Sequence, residues 1–166
     1  MTMTPDAAEQ TQYLTFQLAG EEFAFSILRV KEILEYDTIT RVPNAPAAVR
    51  GVINLRGSVV PVVDLAQLFA VPATTVTKRT CVVIVEARVD GQDLVMGVLA
   101  DAVSQVMDLT PDAIEPPPAF GSRVRVEYLV GMGKVDARKF VLILDIDRLL
   151  GDVAMPATVA AAPAVA

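Results

Sequence analysis

The chain has 166 residues, 53% of them hydrophobic, with one cysteine, no histidine and a formal charge of −6. That length suffices for one domain or for two small subdomains sharing a core, and the acidic balance argues against nucleic acid, whose phosphates the molecule's field would repel. The missing imidazole excludes Ser-His-Asp and Cys-His catalysis, histidine-bound zinc and a phosphoaccepting histidine.

No run approaches the ~18 apolar residues that cross a bilayer, and the N-terminus, with Asp6, Glu9 and no basic residue, lacks the pattern of a signal peptide. The expected compartment is therefore the cytoplasm. Residues 1–11 are polar and pattern-free, which predicts a flexible arm. Residues 13–18 alternate Tyr, Thr, Gln against Leu, Phe, Leu, the period of a strand with one buried face. Ala19-Gly20-Glu21 turns the chain into a second strand over residues 22–26, with Phe23 and Phe25 on one side. Ile27, Val30, Ile33 and Leu34 then fall at helical spacing, so a helical turn is expected before a strand over residues 31–36. Val42-Pro43-Asn44-Ala45-Pro46 reads as a rigid loop.

Apolar β-formers on both sides of Arg56-Gly57-Ser58 predict a hairpin of residues 51–55 and 59–63. Gly57 suits a left-handed turn and leaves Arg56 at the tip, while Pro61 predicts an edge or a bulge because it has no N–H to donate. Asp64, followed by Leu65, Leu68 and Phe69 with Gln67 at capping-box spacing, opens a short helix. Residues 70–78 form a polar connector. Residues 81–87 and 94–100 read as strands joined by an Asp90-Gly91 turn. The lone Cys81 has no disulfide partner and no neighbouring ligand pattern, so it is expected to be a buried structural thiol.

Thr110-Pro111-Asp112 starts a short helical turn that Pro116-Pro117-Pro118 stops. Residues 127–130 and 140–144 read as a strand pair closed by Asp145-Ile146-x-x-Leu149-Leu150, which echoes Asp64-Leu65-x-x-Leu68-Phe69. A weaker echo sets Phe23-x-Phe25, Val30 and Ile33 against Met96-x-Val98, Val103 and Val106. Short strands, turn signals and internal echoes together predict two small barrels. Residues 151–166, rich in Ala, Val and Pro, are expected to be a flexible tail.

Gly51-x-x-Asn54-Leu-Arg56-Gly57 leading into Val-Pro-Val-Val-Asp64-Leu resembles the central motif of the CheW-like domain, and the resemblance spans residues 13–150. It implies a mainly β fold of two intertwined, five-stranded, SH3-like barrels with a few short helices over residues 12–150. It also implies a non-catalytic adaptor that couples the cytoplasmic tip of a methyl-accepting chemoreceptor to the regulatory domain of a chemotaxis histidine kinase. The protein-interaction positions implied are Val30, Glu32, Gly51, Asn54, Arg56, Gly57, Val103 and Val106. Of these, Arg56 is the best functional candidate, since a turn arginine offers five donors and has no packing duty. Gly51 and Gly57 are also explained by backbone demands, and Val30, Val103 and Val106 by plain core packing.

No cofactor and no metal are expected. Gly131-Met132-Gly133-Lys134 lacks the first glycine and the hydroxyl residue of a phosphate loop, and Asp64 and Asp145 sit where helix capping accounts for them. The alternative functions are a generic SH3-like peptide-binding module of another pathway and an enzyme with a polar pocket. Alone, the protein is expected to be monomeric or weakly self-associating, without membrane insertion. Arg29, Lys31, Arg41, Arg50 and Arg56 against Glu32, Glu35 and Asp37 leave a local excess of positive charge, read either as surface scatter or as a patch for an acidic partner.

Overall fold

The structure, a computed structural model, describes residues 12–37, 39–45, 48–69, 75–116, 126–136 and 139–161, with backbone alone at 126 and from 154 onward. The expected N-terminal arm, part of the 70–78 connector and Pro117-Pro118 fall outside the described residues. Strands β1 (Gln12–Leu18) and β2 (Glu21–Ser26) form a hairpin, followed by a 3-10 turn at Ile27–Arg29 and by β3 (Val30–Glu35). A second hairpin, β4 (Val49–Leu55) and β5 (Ser58–Val63), runs into helix α1 (Leu65–Leu68). A third, β6 (Cys81–Val89) and β7 (Gln92–Ala100), leads to β8 (Ala102–Asp108), a 3-10 turn at Pro111–Ala113 and the two-residue β9 (Ile114–Glu115). After a 3-10 turn at Val126–Tyr128 come β10 (Leu129–Asp136), β11 (Lys139–Leu144) and α2 (Ile146–Ala161).

The strands make two sheets, in the orders β8-β1-β2-β11-β10-β9 and β3-β6-β7-β5-β4. Each long N-terminal hairpin therefore hands its next strand to the other sheet: β1-β2 passes β3 across, and β6-β7 passes β8 back. Each sheet is closed by one parallel pair, with Ala24 opposite Ile143 in the first and Gly97 opposite Val62 in the second. The two echoes lie on this repeat. Bulged pairings recur too, since β4 shifts register between Val49 and Gly51 and β10 between Leu129 and Gly131. The five strands expected of each unit are present, and β9 adds a short sixth to one sheet, in the place that the isolated Thr40–Val52 bridge occupies in the other.

Three apolar clusters follow from the alternation of side chains along these strands. Leu14, Phe16, Leu18, Phe23 and Phe25 meet Val83, Val85, Met96 and Val98 between the sheets, with Leu65, Phe69, Leu149 and Leu150 closing the ends. Tyr13, Ala24, Leu109, Val141 and Ile143 fill the concave side of the first sheet, and Val60, Val62, Val82, Ile84 and Leu99 that of the second. β1 is thus buried on both faces, not one: Tyr13 and Thr15 lie opposite the Leu-Phe-Leu row and are themselves buried.

Other expectations need correction. β5 is interior, between β7 and β4, so, although its pairing with β4 does carry a bulge between Val49 and Gly51, Pro61 is not on an edge strand. It is tolerated because Val52, its β4 neighbour, exchanges its backbone bonds with Thr40 (2.8 and 2.9 Å), which makes Val52–Pro61 a non-bonded pair. The missing N–H then points toward β7, whose ladder with β5 covers only Val62 and Val63. Residues 126–128 form a 3-10 turn, and the strand expected at 127–130 instead begins at Leu129 and runs through the glycine-rich segment to Asp136. Cys81 is half-buried, its thiol donating to the Arg79 carbonyl at 3.3 Å. Finally, the boundary placed at residue 151 falls inside α2, and Val153, at 3% exposure, belongs to the core between the sheets.

Candidate protein-interaction site

The β4-β5 turn is a two-residue turn in which Arg56 (φ 51°) and Gly57 (φ 89°) are both left-handed, so the geometry is type I′. Gly57 adopts this freely, whereas an arginine does so at a cost of roughly 1 kcal/mol, and the neighbours that hold it are visible. Asn54 Oδ1 accepts a hydrogen bond from the Gly57 N–H at 2.9 Å, which pins the turn from within. Arg56 Nη2 donates to the Glu32 carboxylate at 2.8 Å. Glu32 is on β3 and Arg56 follows β4, the two edge strands of the five-stranded sheet, so this ion pair is possible only because the sheet curls until its edges meet. The Arg56 side chain remains 71% exposed.

Glu32 faces Arg56 because of a bulge. The β3 register against β6 shifts between Val30 (opposite Val85) and Glu32 (opposite Ile84), leaving Lys31 as the extra residue. Val30 therefore packs on the core between the sheets, while Glu32 and Leu34 turn to the concave side of their own sheet. There Glu32, Arg56, Leu55, Val59, Val60, Ile84, Leu94, Val95, Lys31 and Asp93 line an open groove of about 690 Å³, and Val59 stands 70% exposed on its rim. An apolar floor with charges of both signs on the rim is the usual anatomy of a protein-recognition surface.

The other expected positions divide by role. A Cβ on Gly51, whose φ is 156°, would overlap the Thr40 carbonyl oxygen, so this glycine permits the close crossing of the 39–40 segment over β4. Gly57 is required by its φ alone, with open space where a Cβ would stand. Val103 packs against the core between the sheets and Val106, on the same edge strand β8, is 49% exposed. Arg56, Glu32, Asn54 and Gly57 are brought together in one cluster; Gly51 and Val30 support the strands that carry it, and Val103 and Val106 lie on the other sheet. Val59 was missed by sequence reasoning, because its apolar neighbours in Val59-Val60-Pro61-Val62-Val63 give no sign of which valine is exposed.

Four of the five local cations are engaged in ion pairs, and Arg41 stands exposed near Arg50. Arg29 pairs with Asp147 (2.6 Å), Lys31 with Glu86 (3.6 Å) and Arg50 with Asp64 (2.9 Å), besides the Arg56–Glu32 pair. Asp64 Oδ1 accepts from the Ala66 N–H at 3.1 Å and Asp145 Oδ1 from the Arg148 N–H at 3.2 Å, so both carboxylates act as helix caps. Among the described residues no cluster of acidic or cysteine side chains could hold a metal ion, and no helix is long and apolar enough to cross a membrane.

A paired-sheet body that presents a braced turn arginine beside an apolar groove has the build of a recognition scaffold. The CheW-like domain family matches over residues 12–154, and the chain belongs to that family. The chemotaxis protein CheW of Klebsiella aerogenes is 40% identical over 84% of this chain and 81% of its own length. That of Thermotoga maritima is 29% identical over 92% of this chain and 96% of its own. The crystal structure of the scaffolding protein TtCheW from Thermoanaerobacter tengcongensis superposes with a TM-score of 0.74 at 31% identity, covering 84% of this chain and 87% of that one.

Proposed function

We propose that this chain is a cytoplasmic coupling scaffold of a bacterial chemosensory array, holding the signalling tip of a methyl-accepting receptor and the regulatory domain of a histidine kinase so that receptor state sets kinase activity. Membership of the CheW-like family is the observation that carries this reading, and chemotaxis relatives that span most of their own length support it. The chain acts by binding, with no chemistry of its own. Arg56 and Glu32 form the polar centre of one docking surface, with Asn54 and Gly57 holding the turn, Gly51 the crossing beneath it and Val30 the strand beside it. Val103 and Val106 contribute a second, apolar surface on β8. Small, reversible contacts of under ~1,200 Å² suit a protein that is monomeric or weakly associating alone.

Reconstitution tests this directly. Purified chain added to receptor signalling fragments and kinase is expected to raise kinase autophosphorylation and to make it responsive to receptor state. Pull-down of only one of the two partners, with no effect on the kinase, would instead identify a peptide-binding module of another pathway.

A further inference from the structure

The bulge that aims Glu32 has a counterpart. On β8 the register against β1 shifts between Val103 (opposite Phe16) and Gln105 (opposite Thr15), leaving Ser104 as the extra residue just as Lys31 is on β3. The two bulges are held by different means. At β8 the buried Thr15 hydroxyl donates to the Gln105 carbonyl at 2.9 Å and accepts from the Gln105 N–H at 3.2 Å, a staple shielded from solvent. At β3 the corresponding residue opposite Glu32 is Ile84, whose side chain has no polar atom to offer.

What flanks the β3 bulge instead is charge. Arg29, one residue before Val30, sends Nη2 to Asp147 Oδ2 at 2.6 Å and Nη1 toward the Glu86 carbonyl at 3.5 Å, and Lys31 approaches the Glu86 carboxylate at 3.6 Å. Asp147 lies in the first turn of α2, and its other oxygen accepts the Arg88 N–H at 2.8 Å, so the helix is anchored to β6 and reaches from there to Arg29. Among the described residues the other half of the molecule has no such tie: alanines, Ala102 and Ala66, occupy the positions of Arg29 and Asp147 in the repeat. The fold does not need the ion pair to form a bulge, and among the described residues it stands beside the strand that carries Glu32 and not beside β8.

We infer that Asp147, acting through Arg29, is a positioning residue for the coupling site: the first turn of α2 holds the β3 bulge and thereby the presentation of Glu32 to Arg56. The inference rests on the coupling function proposed above only for its last step. The holding pair is about one-third exposed on each side (38% and 33%), so it is screened by salt, whereas the Thr15 staple is not.

Amide hydrogen exchange on the isolated full-length chain reads the bulge without any partner. Asp147→Asn, which keeps an oxygen for the Arg88 N–H but loses its charge, and Arg29→Met, which keeps the stem, are each expected to speed exchange at Lys31 and Glu32 roughly fivefold, while Ser104 and Gln105 stay unchanged. Raising salt on the wild type should produce the same asymmetry, the double variant should be no worse than either single one, and Arg29→Lys should restore most of the protection. In the reconstituted receptor-kinase assay the first two variants should need several-fold more protein for half-maximal stimulation, and Arg88→Ala, which removes only an exposed pair with Asp93, should behave as wild type. Unchanged exchange at Lys31 and Glu32, or an equal response of the two bulges, overturns the inference. Faster exchange with wild-type coupling overturns the positioning role as well. If the wild type itself fails to stimulate the kinase, the coupling function falls, while the exchange comparison still decides whether Asp147 holds the bulge.

Discussion

Asp64 and Asp145 occupy the same post in the two halves of the molecule. Each donates its backbone N–H to the residue just before a bulged strand, Asp64 to the Ala48 carbonyl at 2.7 Å and Asp145 to the Tyr128 carbonyl at 2.8 Å, and each caps the helix that follows. Their surroundings differ, because the Asp64 side chain is fully buried against Arg50 while Asp145 is only half-buried. Asp64→Ala is expected to destabilise the fold by roughly 2 to 4 kcal/mol, since it removes both a helix cap and the fully buried carboxylate that pairs with Arg50. Asp145→Ala should cost about 1 kcal/mol, a cap alone. Urea unfolding of the two variants side by side measures the difference, and equal losses would show that Arg50 adds nothing.

Arg56→Glu is expected to abolish coupling while the domain stays folded, because it sets two carboxylates against each other on an exposed turn. Arg56→Gly separates contact from scaffold. Glycine takes the left-handed conformation freely, and the lost pair with Glu32 is exposed enough to be worth well under ~1 kcal/mol, so stability should hold or rise slightly while coupling is lost. A Gly variant that melts many degrees lower would make Arg56 a structural brace. A Glu32–Arg56 double-mutant cycle on binding is expected to show losses that fall short of additive, because the two side chains are paired at 2.8 Å and either single variant already breaks that pair.

Gly51→Ala should be among the costliest single-methyl additions in the chain. The new Cβ meets backbone, the Thr40 carbonyl, which cannot rotate away as a side-chain end could, and the φ of 156° adds strain. A loss of about 2 kcal/mol or more in denaturant unfolding is expected, against about 1 kcal/mol for Gly57→Ala, where only the backbone angle is at fault.

Shortening the chain to end before Val153 is expected to lower stability, in contrast to the flexible tail expected from residue 151 onward. Val153 is buried with Leu149 and Leu150 in the core between the sheets, so Val153→Ala alone should cost about 1 to 2 kcal/mol. Thermal unfolding of Val153→Ala beside wild type checks this; an unchanged midpoint would return the residue to the tail.

Stability should fall at alkaline pH. Burial raises the Tyr13 phenol above its ordinary value, and the hydrogen bond and charge of Glu22 raise the Lys139 ammonium. In both cases the native state keeps a proton that the unfolded chain has released, so the contribution is complete below the unfolded value near pH 10 and is lost as pH rises through the folded one. Denaturant midpoints between pH 9 and 11.5 should decline, and Tyr13→Phe should flatten part of the slope.

Local chemistry was legible in the sequence wherever one residue decides it. The turns at Arg56-Gly57 and Asp90-Gly91, the caps at Asp64 and Asp145 and the shared side of Phe23 and Phe25 on β2 all depend on neighbours a few positions away, and the structure has them where the spacing placed them. The repeat was legible as an echo because each half must bury the same pattern of side chains. What only the tertiary structure decided was long-range. The exchange of β3 and β8 between sheets, the burial of both faces of β1 and the docking of Val153 depend on which strand lies opposite, and hydrophobicity along one strand does not name its partner. The site follows the same division. Arg56 could be placed at a turn tip from its glycine, but its pairing with Glu32 needed a sheet curled until its edges meet and a bulge at Lys31 that turns one side chain from one face to the other, and neither is written in the spacing of the two residues.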